Sequence, residues 1–273
     1  MIRPDPRERF AGVPILMYHK IEPRQEIGIN TLSPARFARH LDYLAGNGFE
    51  TVTVADILEA RPRPRPARPV IITFDDAYAS VAEHAFPLMK ERGMRGVVYV
   101  VTAYIGRWND WDATLGGIRF RHMDADQLAM LHDAGWELGV HGRTHRSLPT
   151  LSAAELVEET AGARHDLAGI TGEAPLSFAF PFGQCDPAVE LAVASAGFAV
   201  ACGGIDRGDY GAERRCLERI PVYQFEGTGA LARKLRPGGL PLLSRWKVRL
   251  LSWPAALTPR YQRWRTRQLP LED

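Results

Sequence analysis

The sequence predicts an α/β fold, a distorted (β/α)7–8 barrel, with an open doubly wound sheet as the second choice. Short apolar runs rich in β-branched residues alternate with longer amphipathic segments. The runs are apolar on both faces, as strands of a parallel sheet covered by helices are. A chain of 273 residues with 45% hydrophobic content is long enough to bury one large core.

The strand candidates are 13–18, 49–54, 70–74, 96–102, 136–140, 176–180, 198–202 and 218–223. Helical patterns lie over 34–46, 79–92, 124–134, 152–170 and 186–196. The first opens with Ser33 and Pro34 as N-cap and first-turn pair, and the fourth with Ser152 and Glu155 spaced as a capping box. The stretch "RPRPRPARP" (61–69) has proline at every second position and reads as an extended, exposed linker.

Charge and cysteine usage narrow the function. A formal charge of +2 is too mild to make nucleic acid the expected partner. Cys185, Cys202 and Cys216 are an odd number without CxxC spacing, which argues against a disulfide framework or thiolate zinc site. The N-terminal stretch lacks the long apolar core of a signal peptide, so the expectation is a cytoplasmic protein. From residue 231 onward, ten Lys or Arg stand against Glu272 and Asp273, interleaved with Trp246, Trp253, Tyr261 and Trp264. The chain is therefore divided into a barrel domain, 1–230, and a basic, Trp-containing tail, 231–273. Such a tail suits either peripheral contact with the anionic inner membrane surface or an appendage packed on the barrel.

In a parallel βα barrel the reactive groups stand at the carboxyl ends of strands. The run 13–18 ends in His19, 70–74 in Asp75 and Asp76, 136–140 in His141 with His145 four residues on, and 176–180 in Pro181, Phe182 and Gly183. Two adjacent carboxylates at a partly buried strand end repel unless a cation compensates them. One Asp with two His is a donor set suited to Zn²⁺ or another divalent ion, Co, Ni, Mn or Fe being the alternatives. Adjacent strand residues point to opposite sides, so one Asp coordinates the ion and the other is free as a base beside an ion-activated water. Taken singly, DD is also a common N-cap and HxxxH a common surface coincidence; together, after two buried strands, they point to a metal site. His40, His84, His132 and His165 fall in helical patterns and read as core or surface residues, while His122, just before a helix, is open between the two readings.

The motifs "ITFDDAY", "HGRTH" and "FAFPFG", in that order and spacing, resemble those of the polysaccharide deacetylase family, also called the NodB homology domain or carbohydrate esterase family 4. "ILMYHKIEP" and "GRWNDWD" resemble accessory stretches of its exopolysaccharide branch. The resemblance covers roughly residues 12 to 225. It implies metal-dependent removal of N-acetyl groups from amino sugars, with Asp75 as general base, Asp76, His141 and His145 on the metal, and the Phe182 N–H donating to the oxyanion. An N-acetylated glycan or a lipid-linked saccharide is the implied substrate.

The chain departs from the family pattern at three places. Ala77 replaces the usual Gly, Ala179 stands where many members carry an Arg that orients the base, and the late motif whose His serves as acid is absent. His19, on the same rim, is the candidate acid, with a core histidine as its alternative; Arg219 is the candidate to take over the missing Arg or to meet substrate. Trp108, Asp110 and Trp111 lie in a loop after the fourth strand candidate, near the rim, where the aromatics either stack on sugar faces or only brace the loop, and Pro181 is counted on the substrate side. Rival readings are a metal-dependent amidase acting on formamides or cyclic imides, and a glycan-binding or assembly protein that kept the fold.

Overall fold

The computed structural model describes residues 6–24, 28–58, 65–109, 119–203 and 216–236. Its strands are β1 (Ile15–Tyr18), β2 (Lys20–Ile21), β3 (Thr31–Leu32), β4 (Glu50–Thr51), β5 (Pro69–Phe74), β6 (Val97–Val100), β7 (Glu137–Val140), β8 (Ser177–Ala179), β9 (Val200–Cys202), β10 (Cys216–Leu217) and β11 (Ile220–Pro221). The main sheet runs β10-β9-β8-β7-β6-β5-β1-β11, with β4 beside the start of β5, and every pairing between these strands is parallel. β10 pairs with β9 while β11 pairs with β1, so the six residues 216–221 lie against both edges of the curled sheet.

Side chains alternate across this sheet. Leu16, Tyr18, Val70, Ile72, Phe74, Val98, Val100, Leu138, Val140 and Phe178 pack outward beneath the helices. Ile15, Ile71, Val97, Tyr99, Ala179, Val200, Cys202 and Leu217 form the inner cluster, which Phe10, Val13, Val52, Val54 and Ile57 complete. Glycine is required at position 139, because a Cβ there would lie 2.5 Å from the Tyr99 ring and 2.7 Å from Ser177 Oγ. Tyr99 can therefore lie across the interior, its hydroxyl 3.2 Å from Cys202 Sγ.

The expected elements are present with instructive trims. The run 49–54 pairs only over Glu50–Thr51, because Thr53 and Asp56 form a capping box that starts the helix Val54–Ile57. The run 218–223 contributes only Ile220–Pro221, with Cys216–Leu217 ahead of it as a separate strand. Over 79–92 a π-helical turn, Val81–Ala85, precedes the α-helix Phe86–Lys90, as Pro87 has no N–H for a carbonyl four residues back. The pattern 152–170 holds a π-turn as well, Glu158–Gly162, between Ala153–Val157 and Ala163–Thr171. Both predicted caps form: Ser33 accepts from the Arg36 N–H, and Ser152 pairs reciprocally with Glu155.

Of the Arg-Pro stretch, residues 61–64 lie outside the described residues, whereas Arg68 stacks on Phe49 at 4.1 Å. The helix Thr228–Lys234 crosses residue 230, with Leu231 in the core, and residues 237–273 lie outside the described residues. No helix among the described residues is long and apolar enough to cross a membrane.

The helix Pro34–Gly46 is tied to the chain after β11 through His40. Fully buried, its Nδ1 accepts from the Tyr18 hydroxyl at 3.2 Å and its Nε2–H donates to the Glu226 carbonyl at 3.2 Å. Burial lowers this imidazole from its ordinary 6.5 to about 4. The unfolded chain thus takes the proton first, and His40 contributes stability that is complete above pH 6.5 and lost as pH falls toward 4. Denaturant unfolding of the wild type and His40→Gln between pH 7 and pH 4 should show the shallower acid slope in the variant.

Candidate active site

The site grows out of the inward parity of the strands. Inward residues Ile71 and Thr73 are followed by Asp75, Glu137 and Gly139 by His141, and Ile15 and Met17 by His19. The ladder runs on at two of these ends, where Asp75 N–H donates to Tyr18 O at 2.9 Å and His141 N–H to Val100 O at 2.8 Å. Asp76 would face outward, but its backbone takes φ 68 and that of Ala77 φ 53. This left-handed step, unusual without glycine, brings the Asp76 carboxylate round to the two histidines.

Asp76, His141 and His145 are buried and each offers a ligand atom within 4.8 Å of the other two. Asp76 Oδ1 lies 3.3 Å from His145 Nε2 and 3.6 Å from His141 Nε2. His141 Nδ1–H donates to the Ala179 carbonyl at 2.7 Å, which fixes the tautomer and leaves the Nε2 lone pair toward Asp76. Burial lowers both imidazoles, His145 well below the ordinary value, so both are neutral with lone pairs available. One carboxylate and two neutral imidazoles fit a divalent first-row ion.

His145 also has positive φ, 55, and its loop is held from below by Glu159. That buried carboxylate accepts from Arg143 N–H at 2.8 Å, from Thr144 N–H at 3.0 Å and from the Thr144 hydroxyl. Gly142 makes room for it, since a Cβ there would lie 2.9 Å from Glu159 Oε2. Sequence reasoning missed Glu159, though a signal exists: it stands three residues after Leu156 and four before Ala163, a charged residue on the face that these two bury.

Asp75 has a different partner. Arg219, at the joint between β10 and β11, is 2% exposed and donates from Nη1 and Nη2 to both Asp75 oxygens, at 2.5 and 2.8 Å. Its Nε donates to Gly203 O at 3.0 Å, and the guanidinium lies over the Tyr99 ring at 5.2 Å. Burial alone would raise the Asp75 carboxyl; the charge of Arg219, with His141 and the paired hydrogen bonds, holds it well below the usual carboxylate range. Arg219 thus sits on Asp75, as the first of its two sequence readings has it. Pro181 is buried and packs beside Gly142.

Phe182 adopts φ 58, and its ring meets His145 edge-on at 4.7 Å. The following amides of Gly183 and Gln184 are bonded to Phe180 O and Pro181 O. His19 is half-buried at the rim, close enough to Asp75, Arg219 and His141 to feel their charges, and burial lowers it to about 4. Trp108 is exposed, on a strand bridge to Arg121 beside the chain that covers Ala77. Asp110 and Trp111 lie outside the described residues.

The polysaccharide deacetylase family model matches residues 63–201, half of the chain and all of this metal-ligand set. The chain belongs to the polysaccharide deacetylase family. It is 24% identical over 179 residues to YxkH of Bacillus subtilis, which carries a provisional polysaccharide deacetylase name; the match spans 65% of this chain and 59% of the length of that relative. Among solved structures, it is similar to the Streptococcus pyogenes deacetylase PplD in complex with acetate, with a TM-score of 0.69 at 17% identity over 82% of this chain and 98% of that one. IcaB from Ammonifex degensii superposes with a TM-score of 0.65 at 25% identity, covering 81% of this chain and 95% of its own. The curled parallel sheet with flanking helices is thus the deacetylase barrel of this family.

Removing Arg219 tests how the Asp75 charge is held. Arg219→Met leaves a buried carboxylate without its cation and should lower unfolding stability by roughly 3–5 kcal/mol. Adding Asp75→Asn should restore most of that stability without restoring activity, as read by thermal unfolding alongside an activity assay.

Proposed function

We propose that this protein hydrolyses the N-acetyl group of an amino sugar within a polysaccharide or its saccharide precursor, releasing acetate. The observation that carries this reading is the Asp76–His141–His145 set beside Asp75, a carboxylate held ionised by Arg219 on the same rim. A divalent ion, with zinc favoured by the two imidazoles and one carboxylate, would be held by Asp76, His141 and His145. When bound, it would polarise the amide carbonyl and bring the pKa of a water to about 7.

The remaining chemistry belongs to the chain. Arg219 occupies one side of each Asp75 oxygen, leaving the other lone pairs to take the proton of the attacking water. A carboxylate so strongly stabilised is a weak base, able to act only on an acidified water and quick to give the proton back. The N–H of Phe182 is assigned to the developing oxyanion, which needs a backbone donor and no side-chain hydroxyl. The water oxygen bonds to the acetyl carbon, the C–N bond breaks, and the leaving amine takes up a proton. His19, neutral at pH 7, is assigned to deliver that proton after acquiring it during turnover. Trp108 is exposed beside the covered turn and is assigned to stack on a sugar face. The lipid-linked form of the substrate and contact of the basic tail with an anionic membrane surface are extensions of the same reading.

Metal analysis of the purified protein, paired with acetate release from N-acetylglucosamine oligomers, tests the proposal. Near-stoichiometric metal and acetate release that chelation abolishes and metal restores are expected. Bound metal with no acetate from any N-acetylated glycan would overturn the acyl-group assignment. His141→Ala with full activity and full metal content would overturn the ligand set.

A further inference from the structure

Two consecutive residues without glycine, Asp76 and Ala77, sit at positive φ in the turn that delivers a ligand to the site. Each such residue costs on the order of 1–2 kcal/mol, so something outside the turn must hold it. The chain at 121–123 does so with three bonds. Ala79 N–H donates to Arg121 O at 2.8 Å and Met123 N–H to Ala77 O at 2.7 Å. The third is made by a side chain: His122 Nδ1 lies 2.6 Å from the carbonyl of Asp76 itself. A carbonyl only accepts, so Nδ1 carries the proton. His122 is 1% exposed, and its ring is stacked on Tyr78 at 4.8 Å and 23°. Its own N–H donates to Arg107 O at 2.8 Å, which seats the residue from the far side.

We propose that His122 is a positioning residue for the metal ligand Asp76, its Nδ1–H holding the Asp76 carbonyl so that the carboxylate stays turned toward His141 and His145. This rests on the metal-centre reading above. Without that bond the two remaining bonds hold the turn at Ala77 and Ala79 but not the Asp76 carbonyl, so the Asp76 peptide can relax toward ordinary β-region φ, and strand parity then carries the carboxylate outward, away from the two imidazoles. The role needs a donor at the Nδ1 position rather than a charge. Asparagine reproduces it and phenylalanine does not, although phenylalanine keeps the stack on Tyr78.

The test is the zinc dissociation constant of the wild type, His122→Phe and His122→Asn, measured by competition with a chromophoric chelator. His122→Phe is expected to bind zinc 10–100-fold more weakly, with kcat restored at saturating zinc and KM for the glycan unchanged; His122→Asn, which keeps the donor, is expected to stay near the wild-type affinity. A folded His122→Phe with wild-type zinc affinity would overturn the inference, as would equal weakening in both variants. Should His122→Phe not fold, the Asn variant decides alone: near-wild-type affinity supports the donor role, and a tenfold or greater loss overturns it. A wild type that binds no zinc or other divalent ion would instead refute the metal centre itself.

Discussion

A carboxylate and a guanidinium taken together out of water hold this molecule in its working form. Desolvating both ions is favourable only when geometry is good and the remaining donors are satisfied, and the pairing of Arg219 with Asp75 meets that condition: two parallel hydrogen bonds, a third to Gly203 O, and the Tyr99 ring beneath. Arg219 stands between the two short strands that lie against opposite edges of the sheet. Bringing those edges together and fixing the candidate base are therefore one event. The pair also explains how Asp75 stays ionised in the interior next to a second carboxylate, which burial alone would oppose.

The rest of the site is built by departing from strand geometry at chosen points. All four positive-φ residues other than glycine among the described residues, Asp76, Ala77, His145 and Phe182, belong to its three loops. Backbone strain of this kind persists only where surroundings over-determine it. Glu159 binds the main chain of the His145 loop, the 121–123 segment binds the Asp76–Ala77 turn, and the Phe182 ring leans on His145. The His145 loop and the Asp76–Ala77 turn are thus held by elements that take no part in the chemistry, while the Phe182 loop is braced on a ligand itself.

Alanine at position 179 leaves no arginine beside the base, but its carbonyl receives His141 Nδ1–H, and the guanidinium arrives from position 219 across the barrel. The interior leaves room for this because Gly139 lets Tyr99 lie flat below it. A barrel interior is a shared space, so one charge can be supplied from any strand whose inward position reaches it.

Period-two alternation made much of this legible from residue order. The apolar runs put His19, Asp75, Asp76 and His141 at strand ends on one rim, and the spacing of the HxxxH pair brings His145 with them. Capping residues were readable for the same reason: their partners are three residues away. The contacts that residue order left open, or offered only as one of two readings, join residues far apart along the chain. Arg219 meets Asp75 across 144 positions, His122 meets Asp76 across 46, and Glu159 reaches Arg143 across 16. Strand parity pointed the Asp76 carboxylate outward, and only the left-handed turn, stabilised by those distant partners, reversed it. Local chemistry sets which way a side chain points within its own strand, whereas the bonds that strain the backbone out of that pattern come from segments adjacent only in three dimensions.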